Sequence, residues 1–186
     1  MKTYISILRG INVGGNNLIN MSSLCEMYEE LGFQHVKTYI QSGNVVFQWY
    51  DAKIEDLELQ ISNEILKRFN CKVPVQLREY SELKKIVSMN PFLKEIHGDI
   101  SSLHITFLSR SPGDLFLQIL KNNSYLPDEY FVNDRTIYLM CPNGYGKTRL
   151  TNNFFENKSG ERATTRNLKT IMELVRIGES IENKQK

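Results

Sequence analysis

Apolar residues recur along this chain in two rhythms, alternating in some stretches and spaced three to four apart in others. Tyr4-Ile5-Ser6-Ile7-Leu8 reads as a buried strand. Leu24, Met27, Tyr28 and Leu31 lie on one helical face, with Asn20 or Ser23 as the cap and Gly32 as the stop. Val36–Ile40 and Val45–Trp49 alternate about the turn Gln41-Ser42-Gly43-Asn44 and predict a hairpin. Ile54, Leu57, Ile61, Ile65 and Phe69 repeat at helical spacing, and Lys72–Leu77 closes the series as a strand whose Pro74 places it at a sheet edge. The order strand, helix, strand, strand, helix, strand is the ferredoxin-like arrangement, with two helices on one face of a four-stranded sheet.

The same rhythms continue in the second half. A short helix capped at Ser81 carries Leu83, Ile86 and Val87 and stops at Asn90-Pro91-Phe92; a loop is expected from Lys94 to Ser101. Leu103–Leu108 predicts a strand, Ser111-Pro112-Gly113-Asp114 a helix start, and Glu129–Val132 with Thr136–Met140 a hairpin about Asn133-Asp134. Two helices are expected to finish the chain, one over Lys147–Phe155 and one from about Thr164 with Leu168, Ile171, Met172, Leu174 and Val175, fraying beyond Glu179. The fold class is therefore α+β: a subdomain over residues 1–80, then a second over residues 81–186 that repeats the order strand, helix, strand, strand. The repeat is one of element order, without matching residues.

Topology turns this pattern into a candidate site. The first two strands of a ferredoxin-like unit run parallel, so their C-terminal ends share a sheet edge. That edge collects the loop Arg9-Gly10-Ile11-Asn12-Val13-Gly14-Gly15 and the turn Gln41-Ser42-Gly43-Asn44. Arg9 supplies a planar cationic fork, the glycines supply unshielded backbone N–H groups able to form an anion-binding nest, and Asn12, Gln41, Ser42 and Asn44 supply neutral hydrogen bonds. The set suits recognition of a polar or anionic group and lacks a histidine, an acid pair or a thiol for proton transfer or nucleophilic attack. Tight-turn chemistry alone is the competing explanation.

Charge extends the argument. The net charge is +2, but the bases concentrate at the C-terminal end, in Lys147, Arg149, Lys158, Arg162, Arg166 and Lys169. An anionic small molecule or nucleic acid is one partner such a segment fits; a solvated basic surface is the alternative. Gly144-Tyr145-Gly146-Lys147-Thr148-Arg149 fails the P-loop spacing, leaving at most a weaker anion site at a helix start. In Ala163-Thr164-Thr165-Arg166-Asn167, Thr164 or Thr165 would cap the last helix, and Arg166 would sit at its positive end, a conflict that a bound anion relieves. His35, His97 and His104 match no metal pattern, and His104 reads as structural; neither metal nor cofactor is expected. Aromatics on the strands, Tyr4, Tyr39, Phe47 and Trp49, read as core, although an exposed subset could stack bases as in RNA-binding sheets. Cys25, Cys71 and Cys141 are odd in number and without CxxC spacing, which fits a reduced cytoplasmic protein, and no apolar run is long enough to span a membrane.

The segments Leu8–Gly15, Tyr39–Phe47, Asn90-Pro91-Phe92 and Ala163–Asn167 resemble the signature segments of the bacterial domain-of-unknown-function 1697 family, in order and spacing. The resemblance implies a tandem α+β fold with a ferredoxin-like N-terminal half and brings no activity with it. Two positions depart from it. Asn16 stands where the family often has lysine, and Leu168 where it often has tryptophan. The expected function is binding at the loop edge through Arg9, Gly10, Asn12, Gly14, Gly15, Gln41, Ser42, Gly43 and Asn44, completed by Lys147, Arg149, Thr164, Arg166 and Asn167. The rivals are an enzyme drawing an acid or base from the second half, and an interaction module, with a homodimer formed through a sheet face or edge.

Overall fold

The computed structural model describes residues 1–94 and 99–183, so His97 and part of the expected 94–101 loop lie outside the described residues. The chain divides into two compact units, Met1–Lys85 with Glu173–Lys186, and Ile86–Met172.

The first unit runs β1 (Lys2–Leu8), α1 (Met21–Glu30), β2 (Gln34–Tyr39), β3 (Asn44–Trp49), α2 (Ile54–Phe69), β4 (Val75–Glu79) and most of α3 (Tyr80–Ser88), whose residues from Ile86 group with the second unit. Its sheet has the order β2-β3-β1-β4, with every neighbouring pair antiparallel. β1 and β2 are therefore parallel, as the βαββαβ order requires. Strand alternation sends Tyr4, Leu8, Val45, Phe47, Val75 and Leu77 to one face, where they meet Leu24, Met27 and Tyr28 of α1 and Leu57, Ile61 and Ile65 of α2. Each fully buried side chain of this size contributes roughly 1.5–3 kcal/mol. The Tyr28 hydroxyl is accommodated in that layer by donating to Ser6 Oγ at 2.7 Å. The opposite face is buried as well, and it is more polar: Ile5, Ile7 and Val46 share it with Thr3, Gln48, Gln76 and Arg78. Tyr4 and Phe47 are fully buried core residues, Trp49 packs partly buried against them, and Tyr39 is half-buried on β2.

The second unit runs β5 (Leu103–Leu108), α4 (Asp114–Lys121), β6 (Glu129–Asn133), β7 (Thr136–Met140), α5 (Asn152–Ser159) and β8 (Ala163–Asn167), with sheet order β6-β7-β5-β8. This is the first unit's order again. The repeat extends to individual bonds. Leu8 N–H donates to Gly43 O at 2.8 Å and Leu108 N–H to Arg135 O at 2.8 Å; Arg9 N–H donates to Pro74 O at 3.0 Å and Ser109 N–H to Arg162 O at 2.9 Å. The same register pairs Ile5 with Arg78 and Ile105 with Arg166.

That repeat corrects the expected C-terminal helices. Ala163–Asn167 is a strand, because the β-branched Thr164 and Thr165 pair with Phe107 and Thr106 instead of capping a helix. The cap passes to Asn167, whose Oδ1 accepts from Lys169 N–H at 2.9 Å, and α6 runs Leu168–Glu182. Ile181 is buried, so the helix holds past Glu179. The expected Lys147–Phe155 helix is a 3-10 turn, Tyr145–Lys147, followed by α5. Thr148 Oγ1 accepts from Leu150 N–H in a local turn that competes with helix, and Thr151 caps α5. Smaller shifts occur at β4, which begins at Val75 after Pro74, at α3, which begins at Tyr80, and at α4, whose cap is Gly113 while Ser111 Oγ bonds Asp134. The first five residues of α6 group with the second unit and the remainder with the first. There its backbone passes against Tyr80: a Cβ on Gly178 would lie 2.6 Å from the ring's Cδ2.

Candidate functional site

The loop edge of the first unit is built around one asparagine. Asn12 Nδ2 donates to Gln41 O at 2.9 Å and to Ile19 O at 2.9 Å, while Asn12 Oδ1 accepts from Ile19 N–H at 2.9 Å. The side chain thus ties the glycine loop to the Gln41–Asn44 turn and to the approach to α1. Asn44, which is fully buried, ties the turn to itself through Tyr39 O at 3.2 Å and Ser42 Oγ at 3.0 Å. Gly43 fits a place with no room for a side chain: its φ is +75°, and a Cβ would lie 2.7 Å from Ile11 Cδ1 and 2.8 Å from Leu8 Cβ. Ile40 has φ 48°, a left-handed conformation that a β-branched residue adopts only under constraint. Bonds to the carbonyls of both its neighbours, Tyr39 and Gln41, supply that constraint.

Asn12 and Asn44 are therefore scaffolding, with their amide groups engaged inside the loops. The groups turned to solvent are Gly10, the Gly14-Gly15 backbone and Gln41, with Ser42 and Arg9 half-buried. A third segment joins them, because the Arg9 N–H bond to Pro74 O sets residues 70–74 beside the glycine loop. It adds Lys72, an exposed cation the strand order could have nominated, and Cys71, a thiol turned to Phe69 O at 3.2 Å. Neither Arg9–Asn20, Ile40–Gly43 nor Asn70–Pro74 contains an acidic residue or a histidine.

The equivalent edge of the second unit is chemically different. Glu161 sits there, and its carboxylate takes Ser109 Oγ at 2.7 Å, Arg110 Nε at 3.1 Å and Arg110 Nη2 at 3.0 Å. Burial pulls that carboxyl up, and the hydrogen bonds from Ser109 and Arg110 more than offset it, holding it below its ordinary range. One copy of the edge thus carries its own anion, and the other has none in its loops.

The C-terminal candidates all lie in the second unit. Arg149 stacks over the Tyr125 ring at 5.7 Å, and Lys147 is exposed in its 3-10 turn. Arg166 is half-buried on β8, donating Nη1–H to Thr165 O at 2.9 Å, with its guanidinium desolvated enough to push it down to about 10. Thr164 is buried, with no hydrogen-bond partner for Oγ1, so it is inaccessible to a ligand in this state. Asn167 donates to Ser101 O at 2.8 Å in addition to capping α6. His104 is buried with Nδ1 beside Ser102 O at 3.1 Å, and burial lowers its pKa. Among the described residues, no cluster of His, Cys, Asp and Glu could hold a metal ion, and no helix is long and apolar enough to cross a membrane.

The architecture is α+β, two four-stranded antiparallel sheets with helices, duplicated within one chain. A model of the family described as "Protein of unknown function (DUF1697)" matches residues 1–138, and the chain belongs to that family. Among solved structures, the conserved bacterial protein SP0830 from Streptococcus pneumoniae is similar, with a TM-score of 0.73 at 19% identity over 95% of this chain and 98% of that one. At that identity the likeness concerns the fold. No curated protein matches the sequence.

Proposed function

We propose that the loop edge of the first unit binds the anionic group of a phosphate-bearing small molecule or nucleic acid. The observation that carries this reading is the make-up of the edge: the exposed Gly14-Gly15 backbone and the exposed Lys72 lie on segments that the Asn12 tie and the Arg9 N–H bond to Pro74 O draw together. Backbone N–H groups beside fixed cations are favourable surroundings for an oxyanion. The Asn12 tie adds preorganisation, since the loops need little ordering when a ligand arrives. The edge brings recognition groups together without an imidazole or carboxylate, so binding is better supported than catalysis.

The test is titration with inorganic phosphate, pyrophosphate, nucleoside phosphates and a short single-stranded oligonucleotide, followed by calorimetry and amide NMR. Arg9→Ala and Lys72→Ala are each expected to weaken the responding probe about tenfold or more, the worth of a charged hydrogen bond. Lys147→Ala and Arg149→Ala measure whether the second unit's cations contribute. A steep loss of affinity with salt identifies a nucleic-acid ligand. If no phosphate-bearing probe shifts the Gly14 and Gly15 amides, or if Arg9→Ala and Lys72→Ala leave binding unchanged, the reading is wrong.

A further inference from the structure

The four sheet edges of this protein are not equally protected. β2 carries a register shift between Gln34 and Lys37, with His35 at φ 52° and a lysine in mid-strand. β4 is entered from Pro74 and carries Arg78; β8 follows Arg162 and carries Arg166. Bulges, prolines and cations are the devices that keep edge strands from pairing with other chains. β6 (Glu-Tyr-Phe-Val-Asn) has no proline, cation or bulge within it; Pro127 stands two residues before it and its one charge, Glu129, is at its first position, while its register with β7 is continuous from Glu129↔Met140 to Asn133↔Thr136. Exposed apolar residues lie on and beside it: Phe131 is 49% exposed and Leu126, which shares a surface hollow with Glu129 and Tyr130, 81%. An open cleft of about 340 Å³ lies between α4 and β6, lined by Leu117, Leu120, Lys121, Tyr130, Phe131 and Val132.

We infer that β6 is a self-association edge, and that the partner it fits is β6 of a second copy of this chain, paired antiparallel about Phe131. The hydrogen-bonding parity selects that register. Arg135 O bonds toward β5, so alternation turns Thr136, Tyr138 and Met140 toward β6. Their partners Asn133, Phe131 and Glu129 then bond inward, and Tyr130 and Val132 present N–H and C=O groups outward. Pairing centred on Phe131 sets Tyr130 opposite Val132 of the second copy, and Val132 opposite its Tyr130. All the outward groups of the strand are used in four backbone bonds. On the α4 side the cross-strand pairs are aromatic with β-branched, a favourable combination, and they extend the apolar layer over the cleft. On the other side Phe131 meets its own counterpart. The arrangement is isologous and closes as a two-fold dimer, so it does not propagate into a fibre.

Sedimentation and light scattering over a wide concentration range test this in the intact chain. The wild type is expected to dimerise reversibly. Phe131→Lys is expected to be monomeric with an unchanged circular dichroism spectrum, because it replaces an exposed side chain and sets two lysines opposite each other. Phe131→Glu should behave likewise alone, and an equimolar mixture of the two variants should recover a dimer through lysine–glutamate pairs. Val132→Pro removes an outward N–H without touching the β6–β7 ladder and should also be monomeric. A wild type that stays monomeric at the highest concentration reached, or a Phe131→Lys chain that still dimerises, overturns the inference. Failure of the mixture to re-associate overturns the register.

Discussion

Replacing Asn12 with alanine probes the feature that holds the loop edge together. Three bonds to backbone groups disappear: Nδ2 to Ile19 O, Nδ2 to Gln41 O, and Ile19 N–H to Oδ1, each at 2.9 Å. Ile19 is only 2% exposed, so its N–H and C=O lose partners that water replaces poorly, at about 1–1.5 kcal/mol apiece. Gln41 is exposed, and its carbonyl rebonds to water, so that bond contributes about 0.5 kcal/mol. The backbone adds a further term. Asn12 has φ 55°, a region where alanine costs about 1 kcal/mol and asparagine less. The expected loss for Asn12→Ala is therefore about 3–4 kcal/mol. Asn12→Gly removes the same three bonds while tolerating the φ, so it should be less destabilising than Asn12→Ala by up to about 1 kcal/mol. Urea denaturation of both variants gives the two numbers, and hydrogen exchange at Ile19, whose amide is bonded to the Asn12 side chain, reports the local opening. A loss under about 1 kcal/mol for Asn12→Ala, or unchanged protection at Ile19, would refute the idea that this side chain organises the edge.

Gly43→Ala should destabilise by about 2–4 kcal/mol, combining a left-handed backbone with crowding of Leu8 and Ile11, and thermal unfolding measures it. His104 makes stability depend on pH. Burial lowers its folded pKa, so the unfolded chain binds more protons between that value and about 6.5. Stability should rise with pH through this window and fall as pH drops through it. Denaturation midpoints for wild type and His104→Gln would show the slope and its loss, and an identical slope in both would exclude His104 as the source.

Much of the first unit was legible because its signals are local. Helical spacing from Ile54 to Phe69, alternation in β3 and the turn at Gly43 each come from neighbouring residues, and strand order then brought two distant loops to one edge. The second unit was less legible at its end. Thr164 and Thr165 are good helix caps and good strand residues, and only pairing with β5, which depends on residues far away in sequence, decides between them. Gly144–Arg149 misled for a related reason: a local Thr148–Leu150 bond outweighs a helix start that its glycines and bases suggested. The residues nominated for the site divide in the same way. Chemical type identifies Asn12 and Asn44 as hydrogen-bonders, but only the folded structure shows that their groups are spent on the scaffold. Strand order sets Cys71-Lys72 at this same edge, but a lone lysine carries no local mark of a site, so residue type does not nominate it. Glu161, the acid that distinguishes the second edge from the first, gains its meaning from the repeat of backbone bonds, which leaves little trace in residue identity.

The division of α6 has a consequence for synthesis. The first unit takes its early residues from the start of the chain and its last helix from the end, with all of Ile86–Met172 translated between them. At roughly 5–20 residues per second, a ribosome leaves Tyr80 for several seconds without the helix whose Gly178 closes against its ring. Over that interval the nascent first unit is an unfinished body, held by the β1–β4 sheet and awaiting its final segment. Emergence of α6, rather than completion of the first sheet, is then the event that closes it.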